Sequence, residues 1–342
     1  RIVVDGRVAC IVIDNPPINA GSAAVRAGLL NALNEVATDL AIEAVVLIGA
    51  GRTFIAGSDL REFAEPLSEP QLPAVIAAVE ACPKPVVAAI HGAALGGGFE
   101  LALGCDGRIA TQNALVGLPE GTFGIIPGAG GTVRLPRLID AASALEIIAS
   151  CRRVKSPEAH SLGLIDALSV GDLRADAIAF ALGLGGKRLL RDRPPLPVAQ
   201  AALARVEALS LQRGRSRPHV VEAIAAIRRA LTESTDDALR QERAVFQRLR
   251  MSDESVALRA VFFAEREAVR IDGLDCVDIP EIERVGIVGG GTMGCGITAA
   301  FLLAGFPVKL TDADPATREN VHERVGRLLE RAKPARAVGR LT

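Results

Sequence analysis

Apolar and polar residues alternate in blocks along the first half of the chain, and the period of the pattern keeps changing. Ile2–Val4 and Ala9–Asp14 read as short strands around the turn Asp5-Gly6. Residues 23–39 carry apolar side chains at helical spacing (Val25, Leu29, Leu33, Val36, Leu40). Ala44–Ile48 is a continuous apolar run, as a strand covered on both faces requires. Residues 49–57 form a loop, and a helix is predicted over Pro73–Cys82, stopped at Pro83-Lys84-Pro85. Val86–Ile90 is a second buried strand. A glycine run and a helix to Gly104 follow it, and Asp106–Ala110 returns as a strand. This rhythm predicts an α/β core with parallel pairing.

The texture changes near Arg191-Asp192-Arg193-Pro194-Pro195. Residues 199–270 are almost wholly helix-like, with Val245, Phe246, Leu249, Val261, Phe262 and Phe263 at apolar positions, and are expected to pack on the first domain. Residues 273–280 read as a linker. Beyond it, Val285–Val288 is a strand, then comes Gly289-Gly290-Gly291-Thr292-Met293-Gly294, and Val308–Thr311 is the next strand, ending at Asp312.

The length of 342 residues suits two domains and a sizeable core. A net charge of -1 gives no footing for nucleic acid or an anionic membrane surface. The absence of Trp and Tyr argues further against binding single-stranded nucleic acid by stacking. The six cysteines (Cys10, Cys82, Cys105, Cys151, Cys276, Cys295) form no C-x-x-C pair and have no His cluster beside them. They speak against zinc and a disulfide framework and for free thiols in a reducing, cytoplasmic setting of bacterial type. Apolar stretches break before membrane-spanning length. The chain opens at Arg1 on a strand-like segment, which resembles neither a signal peptide nor a start residue, so preceding residues are expected to be missing.

Two glutamates stand out because acidic residues are rare amid so much apolar sequence. Glu100 follows Gly96-Gly97-Gly98-Phe99, and Glu120 lies in Gly117-Leu118-Pro119-Glu120-Gly121, upstream of Pro127-Gly128-Ala129-Gly130-Gly131. The Gly96–Gly98 run places unpaired N–H groups at the start of a helix from about Phe99, where the macrodipole favours developing negative charge. The loop Ile55-Ala56-Gly57-Ser58-Asp59-Leu60 offers another backbone N–H. Two converging N–H groups make an oxyanion hole for a carbonyl that becomes an enolate. Two carboxylates in one apolar cavity cannot both ionise cheaply, which supplies one base and one acid. Each motif also has a plainer reading: a Glu at a helix start can be a cap, and His91 is expected to bond locally at its strand end. Ser58 lacks a G-x-S-x-G elbow and a placed His, so it is not read as a nucleophile.

These residues carry a family resemblance. Ala56-Gly57-Ser58-Asp59-Leu60, His91 to Ala102, Cys105-Asp106-Gly107-Arg108-Ile109-Ala110, Pro119-Glu120 and Gly124 to Thr132 occur in order over residues 1–190. Together they resemble the crotonase (enoyl-CoA hydratase/isomerase) superfamily. The resemblance implies a crotonase-like ββα spiral core, with the Ser58 and Gly97 amides as oxyanion hole for a thioester oxygen. It implies that Ala56, Gly57, Asp59 and Leu60 belong to the loop that binds the acyl-CoA. It further implies that Glu100 acts mainly as base on water and that Glu120 delivers a proton to the α-carbon. The family more often has Ala where Ser58 stands, which matters little for a backbone donor. Having both glutamates favours a hydratase, a lyase that needs no metal and no cofactor. The Δ3-Δ2-enoyl-CoA isomerase reaction at the same site is an alternative, and a non-catalytic acyl-CoA or NAD binder is another.

Gly289, Gly291 and Gly294 between a strand and a helix, with Asp312 at the end of the next strand, form a dinucleotide fingerprint for NAD. Arg284 to Gly294 resembles the opening of a 3-hydroxyacyl-CoA dehydrogenase, and Phe262-Phe263-Ala264-Glu265-Arg266 resembles the connector of multifunctional fatty-acid β-oxidation enzymes. The expected organisation is a hydratase/isomerase domain over 1–190, a helical extension over 191–272, a linker over 273–283 and a partial Rossmann-like segment over 284–342. Only about two of some six strands of a nucleotide-binding fold are present, so NAD binding is expected to be weak or absent and the multifunctional enzyme truncated. His322 is expected on a solvated face. The resemblance also implies a trimer, or a thiolase partner for fused enzymes.

Overall fold

The computed structural model describes residues 1–64, 66–268 and 281–332. The chain forms two compact units, Arg1–Ala268 and Val269–Thr342.

The first unit opens as an antiparallel hairpin of β1 (Ile2–Asp5) and β2 (Val8–Ile13). Gly6 closes the turn at φ +57°, in the left-handed region that glycine enters without a Cβ clash. Helix α1 (Ala23–Thr38) is capped by Ser22, whose hydroxyl accepts from the Val25 N–H. The helix ends before Leu40, which is fully exposed rather than part of the apolar stripe its spacing predicted. Asp39 is already extended there, and Lys84 Nζ donates to the Val36 and Asp39 carbonyls, satisfying the helix end.

The chain continues through β3 (Ala44–Gly49), α2 (Leu72–Ala81), β4 (Val86–Ile90), β5 (Ala93–Leu95), α3 (Gly97–Gly104), β6 (Gly107–Thr111) and β7 (Leu115–Gly117). After these come α4 (Gly131–Arg134), α5 (Ala141–Ser150), β8 (Val154–Lys155), α6 (Ser156–Leu162), β9 (Ala167–Ser169) and α7 (Leu173–Gly183). The main sheet has the order β1-β2-β3-β4-β6-β9 and is parallel beyond the hairpin. Strand β3 explains its own composition. Val45 and Leu47 face the large core, while Ala44 and Val46 pack with Ala177 and Ala181 of α7 on the other side. A second sheet, β5-β7-β8, was not anticipated. Its strands are two or three residues long, too short to show a period.

Four helices complete this unit: α8 (Gln200–Arg213), α9 (Pro218–Thr232), α10 (Thr235–Arg250) and α11 (Asp253–Ala268). They pack on α4, α5 and the 3-10 turn Pro119–Phe123 that carries Glu120. The second unit is a parallel pair, β10 (Val285–Val288) and β11 (Val308–Thr311), with α12 (Thr292–Leu303) and α13 (Pro315–Ala332). Cys295, Ala299, Leu302, Val308, Val321, Val325 and Leu329 form its core. The linker read at 273–280 and Cys276 lie outside the described residues.

Candidate active site

Helix α3 starts at Gly97, two residues earlier than the glycine run suggested. Gly96 precedes it at φ +52°, ψ −127°, a conformation open to glycine alone, and accepts from both the Phe99 and Glu100 N–H groups. The turn is tight because the Ile55–Ser58 loop lies on it. A Cβ on Gly98 would stand 2.3 Å from the Ile55 carbonyl oxygen, and one on Gly97 would stand 2.7 Å from Ser58 Oγ. Ser58 and Gly97 are therefore neighbours. Among the described residues neither N–H donates to a protein acceptor, which leaves two donors free for a ligand oxygen.

The rest of the loop is tethered. The Ala56 N–H donates to Ile18, and Gly57, at φ +138°, accepts from the Gly21 N–H. Asp59 pairs with Arg61, whose hydrogen bonds lower the carboxyl's pKa. Leu60 opens a 3-10 turn to Ala64, and buried Arg26 binds Glu62, Pro70, Ser68 and Gly21 around it. A cavity of about 10 Å³, lined in part by Ser58, Gly97, Gly98, Leu72 and Leu101, adjoins the two amides and has room for about one water. A second cavity, of about 90 Å³, shares none of those residues and borders Gly128–Gly130, Arg134 and Arg243.

Glu100 lies in the first turn of α3 and is 3% exposed. Its Oε1 accepts from the Ala129 N–H at 2.7 Å and the Gly131 N–H at 2.9 Å. Burial raises its pKa, opposed by those two N–H groups and by Arg134 and Arg243. Glu120 has a different setting. Both carboxyl oxygens are buried without a hydrogen-bond partner, and Oε1 lies 3.0 Å from where a Cβ on Gly96 would stand. Burial, then the Glu100 charge, raises its pKa well above the usual carboxylate range. The structure thus brings Glu100, Glu120, Ser58 and Gly97 to one helix start. It gives one carboxyl donors and leaves the other bare.

Residues outside the sequence reading complete the site. Glu242 of α10 accepts from the Gly130 N–H at 2.5 Å, from the Thr132 N–H at 2.7 Å and from the Thr132 hydroxyl. Arg134 donates to the Ala129 carbonyl and pairs with Glu80 at 2.8 Å, both side chains buried. The signal for Glu242 was present in the sequence: it interrupts the apolar stripe Ala238, Phe246, Leu249 at helical spacing. We expect Glu80→Ala to leave Arg134 buried without its carboxylate and to cost about 3–5 kcal/mol, read as a lowered denaturant midpoint.

His91 sits at its strand end with Nε2 3.2 Å from the Gly51 carbonyl, and burial lowers its pKa. His322 is exposed. In the second unit Gly289 takes φ +106°, a Cβ on Gly294 would collide with the Gly289 carbonyl, and Gly291 faces open space. Those are the three roles a dinucleotide loop assigns its glycines. The Asp312 carboxylate accepts from the Gly290 and Asp314 N–H groups, which lower its pKa. Among the described residues, no cluster of His, Cys, Asp and Glu is arranged to hold a metal, and no helix is long and apolar enough to cross a membrane.

The enoyl-CoA hydratase/isomerase family matches residues 4–184, and the NAD-binding domain of 3-hydroxyacyl-CoA dehydrogenase matches residues 284–340. A peroxisomal bifunctional enzyme of Danio rerio is 38% identical over 98% of this chain and 48% of its own length. The peroxisomal fatty acid beta-oxidation multifunctional protein MFP2 of Arabidopsis thaliana is 36% identical over 90% and 45%. The chain spans about half the length of these curated relatives. The solved structure of EchA1_1 from Mycobacterium paratuberculosis is 30% identical, with a TM-score of 0.54 over 75% of this chain and 92% of that one. The cytoplasmic assignment finds no support in these relatives, whose names place them in peroxisomes. With the glycine-framed helix start, the buried carboxyl pair and these matches together, the chain belongs to the enoyl-CoA hydratase/isomerase family, followed by a segment of a 3-hydroxyacyl-CoA dehydrogenase NAD-binding domain.

Proposed function

We propose that residues 1–268 hydrate trans-2-enoyl-CoA to 3-hydroxyacyl-CoA as a step of fatty-acid β-oxidation. The observation that carries this reading is the contrast between the two buried carboxyls. Glu100 is held by two N–H groups, which favour its ionised form, whereas no other residue donates to Glu120, whose burial and the Glu100 charge favour its protonated form. The thioester oxygen accepts from the Ser58 and Gly97 N–H groups and takes up negative charge as the enolate forms. Glu100 accepts a proton from water as the water oxygen bonds to the β-carbon. Glu120 gives its proton to the α-carbon on the same face. Each carboxyl then holds what the other began with, and exchange with solvent restores the starting state.

The hollow beside Ser58 and Gly97 admits about one water, and Leu72 and Leu101 are among the side chains that line it. Shift of a double bond from the 3 to the 2 position uses the same hole and the same carboxyl pair, an ionised carboxylate taking the proton from C2 and a protonated carboxyl giving one to C4, and is the second activity of this reading. In the whole protein, oxidation of the 3-hydroxyacyl product follows. NAD, when bound, would supply the hydride acceptor there, and Gly289, Gly291, Gly294 and Asp312 are the residues of this chain that would hold it. We assign domains at 1–190, 191–272 and 284–342, with a trimer or a thiolase partner as the assembly. The five described cysteines are free, which suits a reducing compartment.

The test follows loss of the enoyl thioester absorbance with Glu100→Gln and Glu120→Gln beside the unsubstituted chain. Turnover by that chain, lost in both variants, is expected. Near-normal turnover in both variants sinks the assignment.

A further inference from the structure

The turn Ala129–Thr132 is gripped from two sides. Its N–H groups alternate: those of Ala129 and Gly131 point to Glu100, and those of Gly130 and Thr132 point to Glu242. Glu242 is 1% exposed and arrives from α10, far along the chain from the residues it holds. The Thr132 hydroxyl adds a third donor to it. Phe246, one helical turn on, packs where a Cβ on Gly128 would be, so α10 lies directly on this turn.

We propose that Glu242 is a positioning residue for the hydration chemistry. By fixing the Gly130 and Thr132 amides it holds the turn whose other two amides orient Glu100, and where it is ionised its charge adds to the field on Glu120. This inference rests on the hydratase reading above. Glu242, Glu120, Arg134 and Arg243 face Glu100, and Glu100, Glu242 and Cys151 face Glu120. Burial, then the Glu100 charge, pushes Glu242 up to about 8. Glu242 and Glu100 both raise the proton affinity of Glu120. The helices after residue 190 thereby become part of the site, because α10 supplies the group that keeps the base in register.

The sign of the coupling gives the test. Above about pH 8, where Glu242 is ionised, Glu242→Gln removes a negative charge facing Glu120, so Glu120 loses its proton at lower pH. The alkaline limb of the hydration rate then moves down in pH. The same change weakens the hold on the turn, and kcat falls about tenfold or more while KM changes little, as expected for a misplaced catalytic group. A purely structural role predicts a lowered melting temperature with kcat and the alkaline limb unmoved, and that result overturns the proposal. If Glu242→Gln does not fold, Thr132→Val takes its place. It removes one donor, makes Glu242 easier to protonate and moves the limb the same way, whereas an unmoved limb with normal kcat overturns the proposal. Carboxyl-carbon NMR of the glutamates in the full chain reads the Glu120 titration without substrate. An inactive wild-type chain with a Glu120 titration that shifts in Glu242→Gln therefore sinks the hydratase reading alone, and an unshifted titration sinks this inference.

Discussion

Glu120→Gln is expected to lower hydration by about 10²–10⁴-fold, the range for losing a general acid, and at the same time to make the protein more resistant to heat at alkaline pH. The two effects share one cause. Glu120 is a buried carboxyl with no partner on either oxygen, and burial together with the Glu100 charge raises its pKa well above the ordinary 4.5. A group whose proton affinity rises on folding lends stability below its unfolded value. That contribution is lost as pH rises through the folded value. Above that point the wild-type protein carries a second buried charge facing Glu100, and glutamine cannot acquire one. The gap between the melting temperatures of the variant and the wild type should therefore widen as pH rises from the unfolded value to the folded one, the range over which it is to be read. A gap that stays flat or narrows would show that Glu120 is not held protonated by the fold. The acid role would fall with it.

Gly98→Ala is expected to cost about 1–3 kcal/mol of stability, the range for overpacking a core, and about 10²–10³-fold in kcat, the range for losing an oxyanion donor. The added methyl would meet the Ile55 carbonyl oxygen at 2.3 Å, and that oxygen already accepts from the Leu95 N–H. Relief requires the Ile55–Ser58 loop to move away from α3, which separates the Ser58 and Gly97 amides. Gly97→Ala is the control. Its methyl meets only side-chain atoms, Ser58 Oγ at 2.7 Å and Leu72 Cδ2 at 2.8 Å, and side-chain ends yield where backbone does not. Thermal melts and kcat for the two variants should rank Gly98→Ala as the more damaging on both. The reverse order would mean that the loop contact does not hold the oxyanion hole together.

Much of this site was legible because its chemistry is written in local patterns. The Gly96–Gly98 run announces a helix start with free N–H groups, and Glu100 and Glu120 announce themselves as acids amid apolar sequence. The continuous run of β3 told that both of its faces are covered. Leu40 misled because it continued a helical spacing after the backbone had turned away at Asp39. The β5-β7-β8 sheet was invisible because a strand of three residues has no period.

Pattern and composition alone determined the α/β class, the order of the motifs, the two glutamates and the glycine positions, since each follows from what a residue type permits its own backbone to do. Tertiary structure alone decided how the settings of the two acids differ. The amides of Ala129 and Gly131 reach Glu100, and no other residue donates to Glu120. It also decided that Glu242, more than a hundred residues beyond either, closes the cluster. Burial and hydrogen bonding are properties of neighbours in space, and spacing along a chain does not encode them until the helices have packed.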